Sequence, residues 1–301
     1  MTDVIVPATW GTNPVAAVTT AANGTRLAYE ELGHPGAPLL LLVQGYSAQL
    51  VGWPSGFCHA LAAAGFRVIR FDNRDIGLSQ RFPDAVYSLA DMADDAAGLI
   101  KVLGGGPAHV VGQSMGGMIV QELAIHHPGL VASLTVMYST ACARRHFVTP
   151  ITELGAPAPV GSREEAVAQY VANESHVRQG RYPVDLGYLW EIGHQYVSRG
   201  WDPEGVNRQR RAMQADRDRA EDLRLLNCPT LVVHGSDDPL ISVDGGREIA
   251  SLVPGARLDV VEGMVHAIPH QLWHRFATEI AEIAGVIGTG TVGRPGFGAG
   301  Y

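Results

Sequence analysis

Short apolar runs alternate with segments of helical spacing along most of the chain. Residues 18–20 and 25–32 alternate apolar and polar positions around the turn dipeptide Asn23-Gly24, which predicts a β-hairpin. Residues 38–44 (PLLLLVQ) are a continuous apolar run, as a strand buried on both faces requires. A helix over 57–64, stopped by Gly65, leads to a strand at 66–71. Over 88–103, Leu89, Met92, Ala96, Leu99, Ile100 and Leu103 fall on one helical face, with Ser88 as N-cap and Asp91 three positions on. A strand at 108–111, a helix at 114–127 ending at Pro128, and a strand at 134–139 follow. The rhythm returns late, with strands at 230–234 and 257–261 and helices at 246–253 and 273–287.

The stretch 143–222 breaks this rhythm. It is polar, rich in arginine, and shows helical patterns near 163–179, 184–198 and 204–219 without an apolar strand. We read 1–142 and 223–284 as one core, 143–222 as a mobile helical cap inserted into it, and the Gly-rich 285–301 as a flexible tail. Repeated βα units after an antiparallel start predict an α/β fold, with a mostly parallel sheet and helices on both faces. Ligands of such sheets bind beyond the carboxyl ends of the strands, so reactive residues are expected just after strands.

Composition narrows the class. Of 301 residues, 46% are apolar and 17% charged, which suits a packed core and not a disordered chain. Lys+Arg is 22 against Asp+Glu 30, a net charge of −8, without the basic surplus of a nucleic-acid binder. No apolar run approaches the roughly 18 residues of a membrane span. The start, MTDVIVPATWGTNP, lacks the basic and apolar regions of a signal peptide. Cys58, Cys142 and Cys228 are scattered and odd in number, which argues against a disulfide framework and for a reducing, cytoplasmic setting. A homo-oligomer is compatible with all of this.

The sharpest chemical signal is Gly112-Gln113-Ser114-Met115-Gly116, a G-x-S-x-G pattern between an expected strand and an expected helix. A sharp turn there presents the Ser114 hydroxyl at a helix N-terminus, where developing negative charge is stabilised. No G-K-[ST] follows a glycine cluster, so a phosphate-binding loop is not expected, and no H-E-x-x-H metal motif exists. A serine nucleophile needs a base and an orienting acid. Of the twelve histidines, His266 follows the strand at 257–261 directly and falls at the same sheet end as Ser114. Asp237 and Asp238 both follow the strand at 230–234, and either is in reach.

The chain order Ser114, Asp237 or Asp238, His266 on a parallel sheet resembles the α/β-hydrolase superfamily, from about residue 18 to 287. Residues 71–79 (FDNRDIGLS), 234–238 (HGSDD) and 263–266 (GMVH) are similar to loops of that family, the first read as structural through turns and an Arg–Asp pair. Residues 43–53 (VQGYSAQLVGW) and 71–79 most resemble the branch of aclacinomycin methylesterase-like proteins. The resemblance implies an eight-stranded, mostly parallel sheet with a helical cap, and no metal or organic cofactor. It selects Asp238, three residues after the glycine, as the acid. It implies an oxyanion hole from the backbone N–H groups of Tyr46 and Met115. Where the family commonly has His-Gly after the third strand, this chain has Gln44-Gly45.

The activity so implied is hydrolysis of a carboxylic ester, lactone or thioester of an apolar small molecule through an acyl-serine. Carbon–carbon bond hydrolysis and cofactor-free perhydrolysis would use the same residues, and a non-catalytic ligand-binding protein of this fold would look similar. Gln44, Trp53, Tyr188, Trp190 and Trp201 are candidates to line the substrate pocket.

Overall fold

The computed structural model describes residues 16–104, 106–154, 161–200 and 202–286. Eight strands form one sheet: β1 (Ala17–Thr20), β2 (Arg26–Leu32), β3 (Leu39–Val43), β4 (Arg67–Phe71), β5 (Ala108–Gln113), β6 (Val131–Met137), β7 (Thr230–Gly235) and β8 (Arg257–Val261). Their spatial order is β1-β2-β4-β3-β5-β6-β7-β8. β1 and β2 pair antiparallel, as do β2 and β4; every later pairing is parallel.

β3 shows why the apolar run folds as it does. It lies between β4 and β5, and all five of its residues are buried. Successive side chains point to opposite faces, so Leu39, Leu41 and Val43 join the core on one side while Leu40 and Leu42 join the core on the other. Each such side chain contributes roughly 1.5–3 kcal/mol by leaving water.

The first core is covered by α2 (Leu89–Leu103) and α3 (Met115–His126), the second by α1 (Ser55–Ala63) and α10 (Trp273–Ile283). The Ser88 cap is present in full: its hydroxyl accepts the Asp91 N–H at 3.2 Å, and the Asp91 carboxylate accepts the Ser88 N–H at 2.8 Å. α1 ends at Gly65 as expected, with the Gly65 and Phe66 N–H groups closing onto the Ala62 and Leu61 carbonyls.

Between β6 and β7 lie α4 (Ala143–His146), α5 (Arg163–Val177), α6 (Leu186–Ser198), α7 (Pro203–Gln214) and α8 (Ala220–Leu223). Here one expected helix changes its bounds. The helix expected over 204–219 ends at Gln214, because Asp216 and Arg219 turn inward to meet each other and Glu122 of α3. The segment is also tied to the core by buried ion pairs, Arg199–Asp72 at 2.6 Å and Arg208–Asp75 at 2.8 Å. The aspartates of the 71–79 loop therefore bind arginines of the inserted helices, while Arg74 of that loop pairs with Asp95 of α2 at 2.6 Å. Finally, the helix expected at 246–253 is α9 (Val243–Leu252), which starts after Ser242, whose hydroxyl accepts the Asp244 N–H.

Most of the tail expected at 285–301 lies outside the described residues; Val286, still described, packs against the second core. Among the described residues no helix is long and apolar enough to cross a membrane.

Candidate active site

All parallel strands end on the same side, and the candidate residues follow those ends: Gln44 after β3, Ser114 after β5, Asp238 after β7 and His266 after β8. Ser114 has φ 55° and ψ −122°, in the left-handed region that a residue with a side chain rarely adopts. The turn is held by the Ser114 N–H donating to the Met137 carbonyl of β6 at 3.0 Å. It is also held by close packing: a Cβ on Gly116 would come within 2.1 Å of the Val43 carbonyl oxygen, and one on Gly112 within 2.2 Å of the Gly116 oxygen. The spaced glycines are thus required by contact between α3, β3 and β5.

Asp238 and His266 are brought together. His266 Nδ1 lies 2.8 Å from Asp238 Oδ2. The other carboxylate oxygen accepts the N–H groups of Leu240 at 2.8 Å and Ile241 at 3.0 Å. The wholly buried His234 places Nε2 3.4 Å from Asp238 Oδ2, and donates from the same nitrogen to the Ile241 carbonyl at 2.9 Å. Burial alone would raise the Asp238 pKa, but His266, His234 and the backbone N–H outweigh it and hold the carboxyl well below the usual carboxylate range. Asp237, by contrast, is exposed and accepts the Ser236 hydroxyl at 2.6 Å.

A cavity of about 310 Å³ opens over Ser114 and His266. Gln44, Tyr46, Tyr138, Tyr170 and Tyr196 are among its walls, and α5 adds Asn173, Glu174 and the Arg178 that follows it. Tyr46 follows Gly45, and its N–H finds no acceptor among the described residues. Met115 is the first residue of α3, where a helical N–H has no intrahelical partner. The loop carrying Tyr46 is braced from the inserted helices: Ser47 N–H donates to Gln209 Oε1 at 3.0 Å, and the Tyr196 hydroxyl donates to the Ser47 carbonyl.

The aromatic expectations are corrected in part. Trp53 is fully buried in the core under β3, stacked on Phe57, and does not reach the cavity. Trp190 is 43% exposed: α6 buries Leu189, Ile192, Gly193 and Tyr196 on one stripe, and Trp190 lies off it. Tyr188 lines a second cavity of about 230 Å³ with Trp273 and Tyr182, which shares Pro54, Arg178, Ala267 and Ile268 with the first. Trp201 lies outside the described residues. Gln44 lines the first cavity. Sequence reasoning missed Tyr138, Tyr170 and Tyr196 of that cavity and the bracing residue Gln209. Only Tyr138 carried a usable signal, since it directly follows β6.

Among the described residues no group of three or more His, Cys, Asp or Glu side chains is arranged to hold a metal ion. The family model described as serine aminopeptidase, S33 (Hydrolase_4), matches residues 36–272. The chain is 30% identical over 270 residues to rhodomycin D methylesterase DauP of Streptomyces sp. (strain C5), covering 80% of this chain and 88% of that protein. It is 28% identical over 267 residues to a non-heme haloperoxidase of Rhodococcus erythropolis, covering 83% and 92%. The solved esterase RhEst1 from Rhodococcus sp. ECU1013 superposes with a TM-score of 0.72 at 22% identity, covering 91% of this chain and all of that one. With its sheet order, its serine elbow and this match over most of its length, the chain belongs to the Hydrolase_4 family of α/β-hydrolases and is a hydrolase of the carboxylesterase type.

Proposed function

We propose that this protein hydrolyses a carboxylic ester of an apolar small molecule, with Ser114 as nucleophile, His266 as base and Asp238 as its orienting acid. The observation that carries this reading is the strained Ser114 elbow and the His266–Asp238 pair opening on one cavity. With Nδ1 committed to Asp238, His266 has Nε2 free to take the Ser114 proton as Oγ attacks the ester carbonyl. The ionised Asp238 fixes that tautomer and stabilises the imidazolium. The N–H groups of Tyr46 and Met115 receive the oxyanion, each worth roughly 3 kcal/mol in the transition state. The tetrahedral intermediate collapses to an acyl-serine as His266 returns the proton to the departing alcohol. Water, deprotonated by His266, then releases the acid and restores Ser114.

The segment 143–222 acts in this reading as a cap that shapes the substrate cavity through Tyr170 and Tyr196. The methylesterase relative supports a methyl ester as the first substrate class to test. A panel of methyl and p-nitrophenyl esters should show turnover with a burst of nitrophenol, and Ser114→Ala should lose about 10⁴-fold or more in kcat. Turnover of the panel by Ser114→Ala at the wild-type rate would refute the assignment. The haloperoxidase relative supports one added arm, in which hydrogen peroxide replaces water as the acceptor of the acyl group and a peracid is assayed.

A further inference from the structure

Gln44 stands where the family commonly has histidine, and its contacts give that exchange a physical meaning. Tyr138 follows β6 with φ 36°, and its ring meets the His266 ring edge-on at 4.8 Å between centroids. Burial pushes its phenol far above the ordinary range, so the hydroxyl stays protonated and acts as a donor. That donor goes to Gln113 Oε1. The Gln113 amide must then turn its Nε2 the other way, where it donates to Gln44 Oε1. The same oxygen accepts the Gly45 N–H at 2.9 Å. Both lone pairs of the Gln44 carbonyl are therefore in use, whereas a neutral imidazole offers a single acceptor nitrogen. Gln44 keeps both bonds while its own buried Nε2 has no partner among the described residues; a histidine at 44 would accept from one of the two donors and break the link through the other.

The bonds run from the residue packed on His266, through the residue preceding Ser114, to the loop that carries the Tyr46 N–H. We propose that Gln44 and Gln113, oriented by Tyr138, are positioning residues that hold the Tyr46 N–H in register with the Ser114 elbow. On this reading Gln44→His breaks the relay in this chain. The inference rests on the serine mechanism proposed above.

The test is Gln44→His, assayed on a p-nitrophenyl ester and titrated with phenylboronic acid, which forms a tetrahedral adduct on a nucleophilic serine. A displaced oxyanion donor should lower kcat by about tenfold to a hundredfold with KM within about threefold. Boronate affinity should weaken by the same factor. Tyr138→Phe, which removes a single hydroxyl and keeps the ring, should lower kcat by about threefold to tenfold. Added to Gln44→His, it should cost nothing more, because the relay is already broken. Full kcat in Gln44→His, a fall in kcat with boronate affinity unchanged, or losses that multiply in the double variant would each overturn the proposal. Tyr138→Phe at wild-type kcat would overturn it even where Gln44→His does not fold. A wild-type protein that takes neither boronate nor a fluorophosphonate on Ser114 would bring down the serine mechanism itself, and the relay with it.

Discussion

Asp237 and Asp238 are neighbours in the chain and opposites in environment. Proline at 239 pushes Asp238 toward extended backbone, and its carboxylate turns inward to His266 and the Leu240 and Ile241 N–H groups while Asp237 faces water. We expect Asp238→Asn to lower kcat by about 10³-fold or more and Asp237→Asn by less than about tenfold, both read with one ester at pH 8. The depressed Asp238 pKa also has a stability consequence. A carboxyl held below its unfolded value of about 4 stabilises the fold above that pH, and the contribution is lost as pH falls through the folded value. The drop in urea midpoint between pH 6 and pH 3 should therefore be smaller in Asp238→Asn than in the wild type. An equal drop would show that the carboxylate is not held in its ionised form. Cys58 makes a similar prediction: burial pushes its thiol up to about 11, so a disulfide reagent at pH 8 should modify it only after denaturation. At this scale the sequence was legible where position relative to a strand decides, as for Ser114 and His266. It was not legible where a side chain's direction decides, as for Trp53, Tyr188 and Trp190.

Among the elements, β3 and α5 differ sharply in burial. The strand is buried on every residue, whereas α5 buries only Val167 and Val171. Leu41→Ala should destabilise by about 2–5 kcal/mol, measured by urea unfolding, because the cavity opens in a core packed by α2 and α3. Hydrogen exchange should be fastest in α5 and slower in α7, where Arg208 and Gln209 reach into the core, with β3 slowest. Equal protection in α5 and β3 would show that the whole insertion belongs to the rigid core. Alternation and helical spacing revealed nearly every element, since both come from burial. The anchors of the insertion did not show, because Arg199 meets Asp72 across 127 residues and a charge in a polar stretch looks solvated until its partner is known.

For the whole molecule, the decisive feature is how the insertion returns to the helix behind the nucleophile. Arg219 is fully buried and pairs with Glu122 of α3 and with Asp216, while Arg217 adds a second contact to Glu122. Arg219→Met should cost about 3–5 kcal/mol, because two buried carboxylates lose a partner. That loss would appear as a fall in melting temperature with little change in KM. The net charge of −8 predicts a molecule that favours neutral or cationic small molecules over anionic surfaces. The account as a whole turns on one covalent event at Ser114. Rapid quenching of the wild-type protein with a slowly deacylated p-nitrophenyl ester, followed by peptide mass mapping, tests it most directly. The account predicts a single acyl group on Ser114 that accumulates with the nitrophenol burst and is absent from Ser114→Ala; an acyl group on another residue, or a burst that persists in that variant, would contradict it.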